Sequence, residues 1–355
     1  MRSTVLNLGP IQGVFLHSVG GFAAGSFYAP LKKIRRWAWE SYWLAMGLAA
    51  WVMAPWIAAL ISTPHLAHVL CGSPPRRIAL AYMFGVLWGI GGLTFGLTMR
   101  YLGMALGMAV ALGFCAVFGT LIPPIVEGQI VDLVRTTSGL TIAGGIAVCI
   151  VGICICGRAG MRRDAELNTA KKSDAVPEFA LFKGFLVATV AGILSACFAF
   201  ALAVGEPIAE TSTALGTREL YSNNAVLVVI LAGGFTTNVI WCVALNVRNR
   251  TYTDYVTGPL PGQLFNYAMA AIGGVIWYFP FFFYGMGETK LGGTYDFSSW
   301  SLHMSFIIVF SNLWGLYFRE WRGSSRRTKA MVWIGILTLV ASSIVIGCGN
   351  YLAGD

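Results

Sequence analysis

Charged side chains are scarce in this sequence. Only 11% of its 355 residues are Asp, Glu, Lys or Arg, whereas 57% are hydrophobic. A soluble globular protein carries about 25% charged residues, because its surface has to be solvated by water. The shortage of charge excludes an ordinary soluble fold and indicates an exterior that faces lipid, where apolar side chains are the solvated ones.

Motifs for nucleotide or metal chemistry are also missing. The chain contains no P-loop, no nucleotide-binding glycine fingerprint and no metalloprotease motif. Of the eight cysteines, all but Cys71 fall within apolar runs, which favours small apolar packing over a disulfide framework or a metal site. We therefore expect that the protein is not an enzyme and that it has no cofactor, no metal and no ATPase subunit. Any uphill transport would then have to use an ion gradient.

Acidic residues are outnumbered by basic ones, which gives a net charge of +9. Such an excess can indicate nucleic-acid binding. The basic residues, however, lie in short clusters between apolar runs, which is the positive-inside pattern of membrane proteins. The expected partner is the lipid bilayer, and no nucleic acid is expected.

What the chain does contain is a series of ten apolar runs, each close to the roughly 20 residues that span a bilayer. A charge-rich stretch over 158–180 separates five runs from the other five. The sequence thus predicts an all-α integral membrane protein with a first five-helix repeat over 1–157, a cytoplasmic linker over 158–180 and a second five-helix repeat over 181–355. The predicted spans are 9–30, 41–62, 78–99, 102–123, 138–157, 181–204, 223–247, 263–286, 301–318 and 330–351.

The basic residues also predict an orientation. Eighteen of the 24 Lys and Arg residues fall in the odd-numbered intervals between spans, if Lys183 at the very start of the sixth span is counted with the interval before it, and six fall in the even-numbered intervals and termini. Since cytoplasmic loops are enriched in Lys and Arg, the odd intervals are expected in the cytoplasm. Both termini of this multi-pass protein are then expected on the side of the membrane opposite to the cytoplasm.

An internal repeat supports the division into halves. Gly85-Val86-Leu87-Trp88 in the third span matches Gly274-Val275-Ile276-Trp277 in the eighth, and weaker matches join the first span to the sixth. Because five is odd, the second copy would enter the membrane from the opposite face. Inverted repeats are typical of secondary transporters, with the substrate near the midplane between the halves.

His17 is the first candidate site residue. Gly13, His17, Gly21 and Gly25 are spaced by four, so they form one stripe along the first span. Small residues let another helix approach closely, which indicates that His17 points into the bundle. An intramembrane histidine is either a functional group or a neutral side chain hydrogen-bonded to a neighbouring backbone, and the sequence leaves both readings open.

Two tryptophans and an asparagine are candidates for sugar contacts. Trp88 and its repeat mate Trp277 are either stacking surfaces for the apolar faces of a sugar or ordinary core residues. Asn238 in the seventh span is either a contact between helices or a ligand for a hydroxyl group.

Acidic residues and a second histidine complete this set. Asp296 and His303 lie about two turns apart, so one helix face could present both to a proton and a polyol. The alternative is an interfacial Asp296 that caps the helix beside a packed His303. Glu40 is either functional or part of an ion pair on the inner face, and Glu206 is either part of a vestibule or a solvated loop charge.

Several long strings in this sequence resemble the L-rhamnose–proton symporters of bacterial inner membranes, within the drug/metabolite transporter superfamily. They include FYAPLKK (27–33), WAWE (37–40), WGIGGLTFGLTMRYLGMALG (88–107) and YDFSSWSLHMSF (295–306), and His17 falls where that family has a histidine. Arg100 and Trp300 lie within these strings and become second-tier candidates. The resemblance implies ten helices, a 6-deoxyhexose substrate and the proton as coupling ion.

Three hypotheses follow. The first is a proton-coupled sugar symporter that imports L-rhamnose or a related 6-deoxyhexose, using His17, Asp296 and His303 for proton and hydroxyl chemistry. The second is an exporter or exchanger of other small metabolites on the same fold. The third is a membrane sensor or enzyme, which the lack of a catalytic constellation disfavours.

Overall fold

The computed structural model describes residues 9–102, 104–126, 128, 130–170, 181–291 and 298–353, and the regular elements within these ranges are all helices. The all-α fold class is confirmed for this part of the chain. In chain order the helices are α1 (Gly9–Ser26), α2 (Tyr28–Leu31), α3 (Trp39–Gly47), α4 (Ala54–Ser62), α5 (Leu66–Gly72), α6 (Pro75–Leu102), α7 (Met104–Val126), α8 (Ile130–Arg135), α9 (Thr137–Ala170), α10 (Leu181–Ala214), α11 (Asn224–Asn249), α12 (Leu260–Leu291), α13 (Ser298–Tyr317) and α14 (Arg326–Ala353).

A helix lies at each of the ten positions where the sequence predicts a span. Seven helical stretches among the described residues are long and apolar enough to cross a membrane, so the protein is a multi-pass one. Three helices at predicted spans are not among the seven. Among the described residues of α7 the apolar stretch is shorter, Val110–Ile122, and polar residues lower the hydropathy of α1 and α13. His17 lies in α1, and α13 carries His303 and five serines. Ten spans in two inverted repeats stay a prediction.

Two helices, α9 and α10, run ten or more residues beyond the ends of their predicted spans. The helix α9 continues to Ala170, so residues 158–170, predicted as linker, are its last turns. Glu166 on this extension accepts hydrogen bonds from the backbone N–H of Ser325 and from Oγ1 of Thr328, both at 2.7 Å. These bonds tie the end of α9 to the start of α14, which is why the charged stretch is helical.

The second extension lies in α10, which continues to Ala214 although it contains Pro207. The prediction that Glu206 is a loop residue is therefore wrong. Glu206 lies on the helix, with its side chain exposed.

Pro55 explains an irregular turn in the second predicted span. A proline has no N–H, so it cannot donate to the carbonyl four residues earlier, which here belongs to Trp51. The turn before it, Leu48–Met53, is a π-helix, in which the backbone N–H of Ala54 donates to the carbonyl of Ala49, five residues back.

The chain forms two compact units. Unit 1 comprises 1–22, 94–196 and 286–355, and unit 2 comprises 23–93 and 197–285. The chain passes between units within α1, α6, α10 and α12, which are the first and third predicted spans of each half. Each boundary in the second half lies within about one helical turn of the position expected from the repeat alignment.

Glycines bring α9 and α14 together in unit 1. A Cβ added at Gly145 would lie 2.6 Å from Cγ1 of Ile346, and one at Gly335 would lie 2.5 Å from Sγ of Cys156. Close helix packing through small residues is the usual way to associate helices in lipid, where burial of apolar surface gives no advantage.

The same device joins α6 to α11 in unit 2. A Cβ at Gly85 would meet the carbonyl of Ile230, and a Cβ at Gly233 would meet the carbonyl of Tyr82. Gly89 lies one turn after Gly85 and also faces α11, where an added Cβ would meet Gly234.

Candidate functional site: a histidine pair and a tryptophan cluster

Two buried histidines meet in unit 1. The ring centroids of His17 on α1 and His303 on α13 are 5.8 Å apart, and the ring planes are inclined at 64°. Their side chains are 0% and 3% exposed. One comes from each predicted half of the sequence, so folding creates a buried pair of titratable side chains.

The glycine stripe on α1 determines where His17 points. A Cβ at Gly13 would lie 2.6 Å from Cγ of Leu291, and a Cβ at Gly21 would meet Phe306. The stripe also faces Gly287, whose added Cβ would lie only 2.8 Å from Nε2 of His17. The prediction that small residues turn His17 into the bundle is confirmed.

A serine face on α13 fixes the direction of His303. Oγ of Ser301 is 2.8 Å from Oγ1 of Thr120, and Oγ of Ser305 is 3.1 Å from Sγ of Cys149. Residues 301 and 303 are about 200° apart around the helix axis. Because the serines are bonded to α7 and α9, His303 is held on the opposite side of α13.

An aromatic cluster occupies unit 2. The ring centroids of Trp88 and Trp277, predicted repeat mates, are 5.7 Å apart. Both rings also contact Phe281, with centroids at 5.3 and 4.7 Å, and Phe198 packs against Trp88 at 5.3 Å. Trp88 and Trp277 are only partly buried, so their rings keep surface that other groups could contact.

Trp51 belongs to this cluster, and the sequence reasoning missed it. Its ring centroid lies 4.7 Å from that of Trp277, nearly perpendicular to it at 74°. The side chain is 3% exposed, yet its Nε1–H has no hydrogen-bond partner among the described residues. Buried indole N–H groups usually have a partner. The signal in the sequence was Pro55, which loosens the turn that carries Trp51.

Asn238 is a contact between helices. Its Oδ1 accepts a hydrogen bond from Nε1 of Trp43 at 3.1 Å, and its Nδ2 donates to the carbonyl of Gly234 at 2.8 Å. The first of the two readings of this residue is thus supported. Trp43, also missed, links Asn238 to the cluster, because its ring centroid lies 6.2 Å from that of Trp51.

Glu40 is buried at the start of α3 in unit 2. Its Oε1 accepts hydrogen bonds from Nδ2 of Asn249 and Oγ1 of Thr251, both at 2.9 Å. Oγ1 of Thr251 also lies 3.0 Å from Oδ1 of Asn246, and Nδ2 of Asn246 donates to the hydroxyl of Tyr255. Burial raises the pKa of the Tyr255 phenol, so the phenol stays neutral. Glu40 therefore holds three chain segments together.

The remaining candidates do not join either site within the described residues. Trp300 is buried in unit 1, where its Nε1 donates to the carbonyl of Cys115 at 3.0 Å. Glu206 is exposed on α10. Asp296 lies outside the described residues, and so does the side chain of Arg100, so the predicted face shared by Asp296 and His303 stays a prediction.

Comparison with known proteins decides the family. The sequence profile of the L-rhamnose-proton symport protein family matches residues 6–351. The chain belongs to this family. It is 34% identical to the L-rhamnose-proton symporter of Klebsiella pneumoniae subsp. pneumoniae, over 95% of this chain and 97% of the relative. It is 33% identical to those of Cronobacter sakazakii and Escherichia coli over the same shares.

Membership in the L-rhamnose-proton symport family confirms the resemblance seen in the sequence strings. The chain is accordingly a membrane transporter and not an enzyme. The matched region extends from the start of α1 to the last turn of α14, so it includes the histidine pair in unit 1 and the tryptophan cluster in unit 2.

Proposed function

We propose that this protein imports L-rhamnose, or a closely related 6-deoxyhexose, together with protons across the bacterial inner membrane. The family supports both the sugar and the proton, because the matched relatives are named L-rhamnose-proton symporters. The structural observation that carries proton coupling is the buried contact between His17 and His303.

The histidine pair is suited to carry a single proton. Imidazole is the side chain whose ordinary titration lies closest to physiological pH. Two positive rings 5.8 Å apart would repel each other by about 3 kcal/mol at an effective dielectric constant of about 20. A second proton is therefore opposed, and the pair cycles between neutral and singly charged states.

The tryptophan cluster is suited to the sugar. Aromatic rings offer a flat apolar surface to the C–H face of a deoxyhexose and its C6 methyl group. Trp88 and Trp277 provide that surface, one from each half of the sequence. The indole N–H of Trp51, buried without a partner among the described residues, would donate to a hydroxyl group of the sugar.

The proposed architecture is ten membrane-spanning helices in two inverted repeats, over 1–157 and 181–355, with both termini in the periplasm. Transport would proceed by rocking of the repeats around a sugar bound near the midplane. The unit boundaries in α1, α6, α10 and α12 support the repeat, because they recur at matching positions. Reporter fusions at each terminus test the topology, and a cytoplasmic reporter signal at either end would exclude it.

Uptake into proteoliposomes tests the coupling. Vesicles with an alkaline interior and an acidic exterior should accumulate radiolabelled L-rhamnose, and a protonophore should abolish the accumulation. The variants His17→Gln and His303→Gln should lose accumulation but retain exchange of internal for external sugar, since exchange needs no net proton movement. Accumulation that ignores the gradient would refute the coupling.

The chain supplies a matched control. His65 and His68 form a second pair with ring centroids 5.8 Å apart, but both are exposed. The double variant His65→Gln/His68→Gln should accumulate sugar normally. If it loses accumulation as the buried pair does, a specific role for His17 and His303 is excluded.

The sugar assignment has its own test. L-Mannose is L-rhamnose with a hydroxyl group on C6, so it probes the apolar contact directly. It should compete with L-rhamnose more weakly, by up to about a hundredfold, since apolar pockets discriminate only modestly against an added hydroxyl. Equal competition by L-mannose would rule out recognition of the methyl group. In the uptake assay, efflux of sugar without uptake would favour the alternative that the protein is an exporter.

A further inference from the structure

A basic cavity of about 940 Å³ lies in unit 2, and none of its lining residues belongs to the tryptophan cluster. Four cationic side chains line it: Lys32, Lys33, Arg35 and Arg36. Among the described residues, Asp254 is the one acidic residue in the lining, and its Oδ2 already accepts hydrogen bonds from the backbone N–H of Ala38 at 2.7 Å and the hydroxyl of Ser41 at 2.8 Å. The cavity is therefore strongly positive.

The basic segment is held in place by the first turns of α12. Nδ2 of Asn266 donates to the carbonyl of Arg35 at 2.9 Å, and its Oδ1 accepts from the backbone N–H of Arg35 at 3.2 Å. Nε1 of Trp37 donates to Oε1 of Gln263 at 3.2 Å, and Nε2 of Gln263 donates to the carbonyl of Asp254 at 2.9 Å. These bonds hold the backbone of Arg35 and the ring of Trp37, and so keep the basic segment beside α12.

The backbone of the basic segment has an unusual conformation next to Asn266. Arg36 adopts a left-handed conformation with φ of 64°, which is uncommon for a residue other than glycine. Such conformations persist where the surroundings hold them, and they concentrate at functional sites. The start of α12 also lines the cavity, and the N-terminus of a helix carries partial positive charge.

An apolar surface continues from the cavity along α12. Phe265 lines the cavity and is 45% exposed. Leu260 and Leu264 lie one turn apart on the same helix and are 69% and 59% exposed, and Ile272 and Val275 extend the exposed apolar surface further along it. This helix is one of the seven that are long and apolar enough to cross a membrane, so we expect its exposed apolar side chains to face acyl chains.

We infer that this cavity binds the headgroup of an anionic phospholipid, with the acyl chains lying along the exposed face of α12. The four cations match phosphate, and the adjoining apolar face distinguishes a lipid from a soluble phosphate ester. A headgroup with two phosphates, as in cardiolipin, suits four cations better than a single phosphate. Since positively charged intervals face the cytoplasm, the lipid belongs to the inner leaflet.

Lipid titration of the delipidated full-length protein in detergent tests the site, with thermal stabilisation as the readout. Cardiolipin should stabilise the protein more strongly than phosphatidylglycerol, and phosphatidylcholine should have little effect. The variant Lys33→Gln/Arg36→Gln should bind cardiolipin about 30-fold more weakly, because each cation near an anionic lipid strengthens binding by about five- to sixfold.

Two further variants keep the test decisive. Arg326→Gln/Arg327→Gln removes the same charge from exposed residues at the start of α14 and should bind cardiolipin normally. Lys33→Arg/Arg36→Lys keeps the charge and should retain binding, which separates lost affinity from lost folding. Equal weakening in both glutamine variants would overturn the site, as would phosphatidylcholine binding of equal strength. If glycerol phosphate binds as tightly as cardiolipin does, the ligand of the cavity is a soluble phosphate ester and not a lipid.

Discussion

Gly287 offers a direct way to move His17 without replacing it. A Cβ at this position would lie 2.8 Å from Nε2, 2.9 Å from Cδ2 and 3.1 Å from Cε1 of His17. Favourable contacts between such atoms occur at about 3.5–4.0 Å, so the ring would have to retreat by roughly 0.5–1 Å. Because His17 is fully buried, the displacement has to be absorbed by α1 or by His303.

The magnitude for Gly287→Ala follows from two opposing effects. Alanine in place of a helical glycine stabilises a helix by up to about 1 kcal/mol. Overpacking a filled site costs about 1–3 kcal/mol. Gly144→Ala is the matched control, because Gly144 is also helical and lies in unit 1, but an added Cβ there has nothing within 4 Å. We expect Gly287→Ala to be less stable than Gly144→Ala by about 1–3 kcal/mol.

Transport assays distinguish displacement of His17 from a general loss of stability in Gly287→Ala. Both variants should be purified in detergent, compared by thermal unfolding and then reconstituted for uptake. Gly287→Ala should accumulate less L-rhamnose under a pH gradient than Gly144→Ala does, while its sugar exchange persists. If the two variants accumulate the sugar equally and unfold at the same temperature, the reasoning about Gly287 and His17 is refuted.

Three further substitutions test other contacts. Trp51→Phe removes one N–H group and part of the ring, so the KM for sugar should rise about three- to tenfold. Loss of the unsatisfied buried donor should partly offset the cavity that the smaller ring leaves, so the free energy of unfolding should fall by no more than about 2 kcal/mol. Asn238→Leu leaves the indole N–H of Trp43 without its acceptor and should lower the free energy of unfolding by about 1–3 kcal/mol. Ser325→Ala removes the oxygen that accepts the backbone N–H of Thr328 at the start of α14, which should cost about 1 kcal/mol.

Each of these results has a control. Trp333→Phe, at an exposed position on α14, should leave the KM unchanged, and an unchanged KM for Trp51→Phe as well would remove Trp51 from the sugar site. Asn238→Gln retains an amide, and if it is as unstable as Asn238→Leu the lost hydrogen bond is not the cause. Ser325→Asn retains a capping oxygen and should recover most of the stability that Ser325→Ala loses.

The helices themselves were predictable from composition and hydropathy, because the length of an apolar run reports directly on a lipid environment. Their ends were less predictable. Residues 158–170 are charged and were expected in a linker, but Glu166 bonds to Ser325 and Thr328 and so continues α9. That contact joins residues more than 150 positions apart, and no local pattern records it.

The candidate sites divide in the same way. The spacing of Gly13, His17 and Gly21 predicted that His17 is buried, since one stripe of a helix is a local property. The partner of His17 was not predictable, because His303 reaches it only when the serine face of α13 is bonded to α7 and α9. Trp51 was missed because its position depends on a π-helical turn.

The sequence by itself determined the lipid environment, the helical class, the family and the burial of His17. These follow from composition, local periodicity and shared strings, which need no knowledge of neighbours. Only the tertiary structure decided that His17 meets His303, that Trp88 meets Trp277 and Trp51, and that four cations surround one cavity. Such contacts depend on how distant segments pack, and packing is determined by the shapes and hydrogen bonds of all the side chains together.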